Sequence, residues 1–518
     1  MRRSRSRGTH KARPIPDFSP PPKGTLGGMY SPLTQSDVQQ IHRAALQVLA
    51  TIGLKSPTPI IRELALSKGC SEDDGGRLLL PSSLVEDVIS GAARDFVLHG
   101  QSPEHDIEVR GGYVHFATGG AAVKMLDSHT GQYRDSTLVD LYDLARLVDT
   151  MPNIQWFARP VVATDIPDWR ELDLNTVYAI AKGTKKHLGT SIVLDTHVAE
   201  IIELLDIMVG ETGAFAKRPF LSVHATTIVS PLTFAEDSSD VATAAARAGM
   251  PILSQTGPMA GATAPAALAG SLVQTVAESL GALVAINLVK PGHPVIASGW
   301  PFVADLRTGS MSGGSGEQAL LGAGQAQMMR HYKLPTGVPA GMSDAKLPDN
   351  QAGFEKALSV ATAALSGPSF VYESAGMLAS LLGCSLEAMV IDDEMISSIR
   401  RIMRGIEVNE DTLSVEVIAQ AAKGEGHFLG SPQTLALMET EYVYPRLSDR
   451  DSPDSWTEKG ATDMWARAKE QVQGIMRTHY PTHISTQADD QVRARFPIRL
   501  PIEKTLPETS DWATGAKV

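Results

Sequence analysis

The 518 residues are 43% hydrophobic and 20% charged, a globular profile long enough for one large domain with added layers. A formal net charge of −12 argues against a general nucleic-acid surface, and no run reaches the roughly 18–20 apolar residues of a membrane span. Cys70 and Cys384 are the only cysteines; a core of this size needs no disulfide, which points to a reducing cytoplasm.

Residues 1–30 read as a flexible lead. Arg2, Arg3, Arg5, Arg7, Lys11 and Arg13 are followed by prolines rather than by the apolar stretch of a secretory signal. A disordered arm and a binding arm both fit this composition. Residues 31–110 read as a small helical domain. Ser36 or Asp37 is the expected cap of a helix carrying Val38, Ile41, Ala45 and Leu49, ended by Gly53. Pro59–Ser67 and the stretch after Pro81 supply two more helices.

From 111 to 380 short apolar runs alternate with amphipathic segments. Eight strands are expected, at Val114–Gly119, Ile154–Val161, His187–Leu194, Phe220–Ile228, Ile252–Gly257, Pro294–Gly299, Pro335–Ala340 and Phe370–Ser374. Leu138–Thr150 and Leu268–Val289 are among the helices between them. The fold class is therefore α/β, a TIM (β/α)8 barrel with helical additions at both ends. An open doubly wound sheet is the alternative, and Met125–Tyr133 fits a small separate sheet. Residues 381–500 form a helical layer, with helices over Ser385–Arg404, Val415–Ala422 and Met464–His479 around a solvated loop at Arg446–Asp454. The tail from 501 to 518 lacks periodicity and reads as mobile.

No Walker loop, HExxH or Gly-x-Ser-x-Gly elbow is present. The Gly309–Gly316 run follows no strand, so a plain loop or a lid fits better than a phosphate cradle. His187, His224, His293 and His331 lie tens of residues apart, and no metal site is expected. Aromatic residues make up 5% of the chain, yet Trp156, Trp300, Phe302 and Tyr372 fall on expected strands or just beyond them. Ring faces attract ammonium ions, and core packing is the alternative for each ring. Glu373, in FVYESAG, is a charge in a strand pattern and needs a partner; a substrate cation, Lys346 or an arginine would serve. Arg159 in IQWFARPV follows the same logic. Asp344 is a second candidate carboxylate, or a self-satisfied pair with Lys346. His224, Gln255 and Gln351 are candidate polar contacts at the same rim.

MSDAKLPDNQAGFEKA, FVYESAGML and GHFLGSPQTL (Gly426–Leu435) resemble the trimethylamine:corrinoid methyltransferase family, from about Leu33 to about Pro481. The resemblance implies a TIM barrel that passes a methyl group from an amine to cobalt. The corrinoid is carried by a partner protein, and no cofactor is bound tightly by this chain. Founding members carry pyrrolysine; this chain does not, and relatives without it act on quaternary amines such as glycine betaine. A second departure is Gln433, where histidine is expected. With that chemistry, the carboxylates singled out above, Glu373 and Asp344, are the expected catalytic groups. Trp300, Phe302, Trp156, Tyr372, Arg159, His224, Gln255, Lys346 and Gln351 would then contact substrate. The expected partners are a corrinoid protein, a small amine and further copies of the chain. Trimethylamine as substrate, a Schiff-base lyase or aldolase using Lys346, and a non-catalytic betaine-binding protein are the rival readings.

Overall fold

The computed structural model describes residues 24–514. The basic and proline-rich stretch ahead of Gly24, and the last four residues, lie outside the described residues.

All eight expected strands are present. They are β1 (Tyr113–Phe116), β2 (Trp156–Ala158), β3 (His187–Thr190), β4 (Leu221–Ala225), β5 (Ile252–Thr256), β6 (Val295–Gly299), β7 (Gly337–Pro339) and β8 (Phe370–Tyr372). β2 to β6 form one parallel sheet in chain order. β7, β8 and β1 form a second, also parallel. Two seams join them. On one side Ala117 bridges Trp156 in parallel, with Gln155 N donating to Phe116 O at 2.9 Å. On the other, Ala297 N donates to Pro335 O at 2.9 Å and Thr336 Oγ1 to Ala297 O at 2.7 Å. The architecture is mixed α/β.

Parallel strands need cover on both faces. Here Trp156, Leu253, Ile296, Phe370 and Tyr372, drawn from both sheets, share one buried cluster. Helices pack on the outer side. The helix Leu268–Val289 is long and apolar enough to cross a bilayer, but 78% of its apolar window is buried in this fold. It also carries the fully buried Glu278, whose carboxylate accepts from Ser230, Leu232 N, Gln274 and Thr256. It is a core helix.

The three N-terminal helices lie at Gln35–Gln47, Pro59–Ser67 and Ser82–Gly91. The first is capped two residues ahead of Ser36, at Thr34. Thr34 accepts from Asp37 N while Asp37 returns the bond to Thr34 N at 2.9 Å, so Asp37 is the third-position partner of a reciprocal cap. The lead also differs in its last residues. Thr25–Leu26 pairs antiparallel with β1, and Gly28 N and Tyr30 N both donate to Leu365 O. A two-residue strand has no periodicity to read; its partner makes it. Lys124–Leu126 and Tyr133–Asp135 do form a separate small sheet, completed by Met377–Leu378 and Gly383–Cys384. The tail was expected to be mobile, yet residues 501–512 are anchored, with Trp512 Nε1 donating to Asp143 at 2.7 Å. Both cysteines are buried and unpaired, and burial pushes their thiols up, to about 11 for Cys70 and about 12 for Cys384.

Candidate functional site

The aromatic candidates come together between the two sheets as a column of rings. Trp156 opens β2, His224 lies on β4 and Tyr372 closes β8. The Tyr372 ring lies 5.1 Å from Trp156, 6.1 Å from His224 and 5.8 Å from Trp300. Trp300 follows β6 directly, its main-chain N–H donating to Thr256 O at 2.8 Å. The Phe302 ring lies 6.4 Å from that of Trp300, edge to face.

Two glycines make this stack possible. A Cβ on Gly189 of β3 would lie 2.4 Å from His224 Nε2 and 2.6 Å from Trp156 Nε1; one on Gly337 of β7 would lie 2.3 Å from the Tyr372 ring. Both were missed from sequence, though a lone glycine in a strand signals close approach. Gly189→Ala is therefore expected to displace both nitrogens and cost about 1–3 kcal/mol. Ligand titration and thermal unfolding of that variant check it; unchanged stability and affinity would remove the packing argument.

Polar atoms converge on the same column. Trp156 Nε1, His224 Nε2, Gln255 Oε1, Trp300 Nε1, Tyr372 Oη and Glu373 Oε2 are all buried and find no hydrogen-bond partner among the described residues. Buried polar groups are normally paired, and such clusters mark places where a ligand or solvent completes the bonding. Gln255 spends only its amide, donating to Thr226 Oγ1 at 3.1 Å.

The charges are unusual. Glu373 follows β8 in a left-handed conformation, φ 58°, that a non-glycine residue seldom adopts. It is 1% exposed, forms no ion pair with the described residues, and burial pushes its carboxyl up to about 8. The expected pairing with Lys346 does not occur. Arg159, just beyond β2, also makes no side-chain hydrogen bond or ion pair with the described residues. Burial lowers its pKa, partly offset by Asp173. Burial and then Arg159 hold His224 down at about 3, so its imidazole is neutral. Burial keeps the Tyr372 phenol well above its ordinary range.

The remaining candidates serve the rim. Asp344 accepts from Gly313 N (2.9 Å), Ser380 Oγ (2.5 Å), Ser312 Oγ (3.3 Å) and Gly314 N (3.4 Å). Its oxygens are occupied in holding the glycine-rich loop. Lys346 is exposed and donates to the Asp344 main-chain oxygen at 2.6 Å, not to a carboxylate. Gln351 is exposed and donates to Glu355 at 2.8 Å. Neither joins the ring column. Sequence reasoning grouped them because rim loops carry no periodicity from which direction is read. Gln433 bonds Ser414 Oγ and Asp411 O within the C-terminal layer. Among the described residues no group of three or more His, Cys, Asp and Glu is placed to hold a metal ion.

A family model described as trimethylamine methyltransferase (MTTB) matches residues 1–499. Trimethylamine methyltransferase MttB of Methanosarcina thermophila is 32% identical over 451 residues, covering 86% of this chain and 92% of that protein. Glycine betaine methyltransferase of Desulfitobacterium hafniense (strain Y51) is 30% identical over 472 residues, covering 91% and 97%. Among solved structures, the Methanosarcina barkeri monomethylamine methyltransferase (MtmB) aligns with a TM-score of 0.46 at 13% identity, over 87% of this chain and 96% of that one.

Proposed function

The chain belongs to the trimethylamine methyltransferase family and is an enzyme of the methyltransferase type, and from that premise we propose that it demethylates a zwitterionic quaternary amine of the glycine betaine kind. We read its two sheets as one closed (β/α)8 barrel, because parallel pairing or backbone hydrogen bonding links every neighbour around the ring β1 to β8. The ring column then fills the barrel towards its C-terminal face, where such barrels carry their chemistry.

One observation carries the substrate class: a buried carboxyl, Glu373, just beyond β8, and a half-buried guanidinium, Arg159, just beyond β2, both lack a side-chain partner among the described residues. Burial alone sets the Glu373 shift, and Asp173 is the charge that acts on Arg159, so the two do not neutralise each other. A substrate with a cation at one end and a carboxylate at the other supplies both missing partners. The quaternary nitrogen has no N–H, so Glu373 and the faces of Trp156, Trp300 and Tyr372 hold it by charge and ring quadrupole. The carboxylate takes Arg159, with His224 and Gln255 within the same polar set.

In the reaction we propose, the methyl group passes to the reduced cobalt of a corrinoid that a partner protein carries. The cobalt electron pair forms the new bond, the C–N pair stays on nitrogen, and a neutral tertiary amine leaves without needing a proton. The chain's own work is orientation and exclusion of water.

Calorimetric titration tests this reading. Native protein is expected to bind glycine betaine at least about tenfold more tightly than tetramethylammonium, a difference of about 1.4 kcal/mol. Arg159→Met should erase that preference and leave tetramethylammonium affinity unchanged. Equal affinity for both cations in the native protein would contradict the zwitterion reading.

A further inference from the structure

We infer that the cavity at the N-terminal ends of β1, β7 and β8 is a second binding site, for a small phosphate-bearing anion, an inference that does not rest on the proposed substrate. The cavity measures about 300 Å³. Gly112, Thr336 and Ser369, which precede β1, β7 and β8, line it. Ser369 and Glu373 flank β8 at its two ends, roughly 13 Å apart along an extended chain, so this cavity is not the substrate site.

Arg94, Arg110, Arg330 and Lys333 line the cavity with a single carboxylate, Asp95. That is a local excess of positive charge in a chain of formal net charge −12. Basic side chains at helix ends commonly serve the helix, and two of these do so in part. Arg94 donates to Ile89 O at 2.8 Å and Ser90 O at 2.9 Å, in the last turn of Ser82–Gly91. Arg330 donates to Ser366 O at 2.7 Å, the last residue of Asn350–Ser366, and to Ser31 Oγ at 2.7 Å. Lys333 follows the helix Gly316–Tyr332. Each helix end is worth about half a negative charge. These ends and Asp95 do not balance four cations, even with Glu108 lying 3.5 Å from Arg110.

Two side chains show where the surplus sits. Burial lowers the pKa of Arg330, and no carboxylate acts on it in the other direction. Lys333 makes no side-chain hydrogen bond or ion pair with the described residues. It caps its helix in the left-handed region, at φ 57°, where glycine or asparagine costs less. Gly210, Gly249 and Gly367 fill that place on other helices of this chain. A lysine here puts an ammonium at the cavity instead.

The unused donors choose the ligand. Arg330 keeps three of its five N–H groups, and Lys333 keeps all of its own. Ser369 Oγ accepts from Thr336 N at 3.3 Å, which leaves its O–H to donate. A phosphate monoester brings three acceptor oxygens and about 1.5–2 negative charges at pH 7, and its oxygens suit the guanidinium fork. The volume leaves room for a small organic body beside the phosphate and none for a macromolecule.

Calorimetric titration of the full chain with glycerol 3-phosphate, in chloride at constant ionic strength, tests this, with inorganic phosphate and acetate as the other arms. Glycerol 3-phosphate should bind at one site per chain, and acetate at least about tenfold more weakly. Lys333→Gln, which removes an ammonium that holds nothing in the fold, should weaken binding roughly tenfold. Arg159→Met should leave it unchanged. No saturable binding below about 10 mM would overturn the inference. So would acetate binding as tightly, equal affinity in Lys333→Gln, or loss of binding in Arg159→Met. Binding of inorganic phosphate without glycerol 3-phosphate would mean an adventitious ion only, and would also overturn it. If Lys333→Gln fails to fold, amide exchange of the native chain with and without glycerol 3-phosphate decides. Slower exchange at 110–112 and 367–369 supports the site, and unchanged exchange there refutes it.

Discussion

Affinity for a quaternary amine, titrated calorimetrically, is expected to rise up to about fifty-fold between pH 6 and pH 8 in the native protein, and this dependence should be absent in Glu373→Gln. The free carboxyl titrates at about 8 because burial favours its neutral form. A bound cation favours the anion, so binding below pH 8 must displace a proton, and that cost falls tenfold per pH unit. A quaternary nitrogen does not titrate. Of the groups around it, His224 at about 3 and Tyr372 well above 10 are silent in this window. The effect on stability has the opposite sign. Glu373 keeps its proton in the folded chain and loses it near 4.5 when unfolded, so rising pH costs the fold until about 8. At pH 7 that cost is on the order of 3 kcal/mol. The glutamine variant should therefore bind amine more weakly at pH 8 without melting lower than the native chain. A core salt bridge would behave otherwise: its loss would lower the melting temperature and leave affinity alone.

Removing Lys356 should have the largest effect on the fold. Its ammonium lies 2.6 Å from Asp392, with the two side chains 2% and 3% exposed. The same Asp392 oxygen accepts from Gly376 N at 2.7 Å, three residues after Glu373. Lys356→Met leaves that carboxylate buried and unpaired, at a cost of about 3–5 kcal/mol. The double change Lys356→Met and Asp392→Leu should recover much of this, because a neutral pair carries no desolvated charge. It leaves the Gly376 N–H unpartnered, so full amine affinity should not return. Thermal unfolding and amine titration of both variants separate the two effects. A single variant as stable as the native chain would contradict the buried-pair account.

The strands were legible because each is an apolar run closed by a small or polar residue, and burial on both faces keeps that pattern simple. Glu373 stood out for the same reason, as a charge where the pattern demands an apolar residue. Trp300 was legible from its position after Ala297-Ser298-Gly299. What sequence did not carry was direction in the loops. Asp344, Lys346 and Gln351 lie close in sequence to strand ends, but turn geometry points them at the rim. The Thr25–Leu26 pairing and the Trp512 anchor each depend on a partner far along the chain, which local pattern does not encode. Gly189 and Gly337 carried a signal that strand glycines always carry, namely that something large lies against them.

The most direct measurement follows methylcobalamin formation spectroscopically, with the native chain, reduced cobalamin and a panel of glycine betaine, carnitine, choline and trimethylamine. Transfer from a zwitterionic quaternary amine, with trimethylamine the poorest donor, is the result predicted here. Transfer from trimethylamine in preference to every quaternary amine would contradict it.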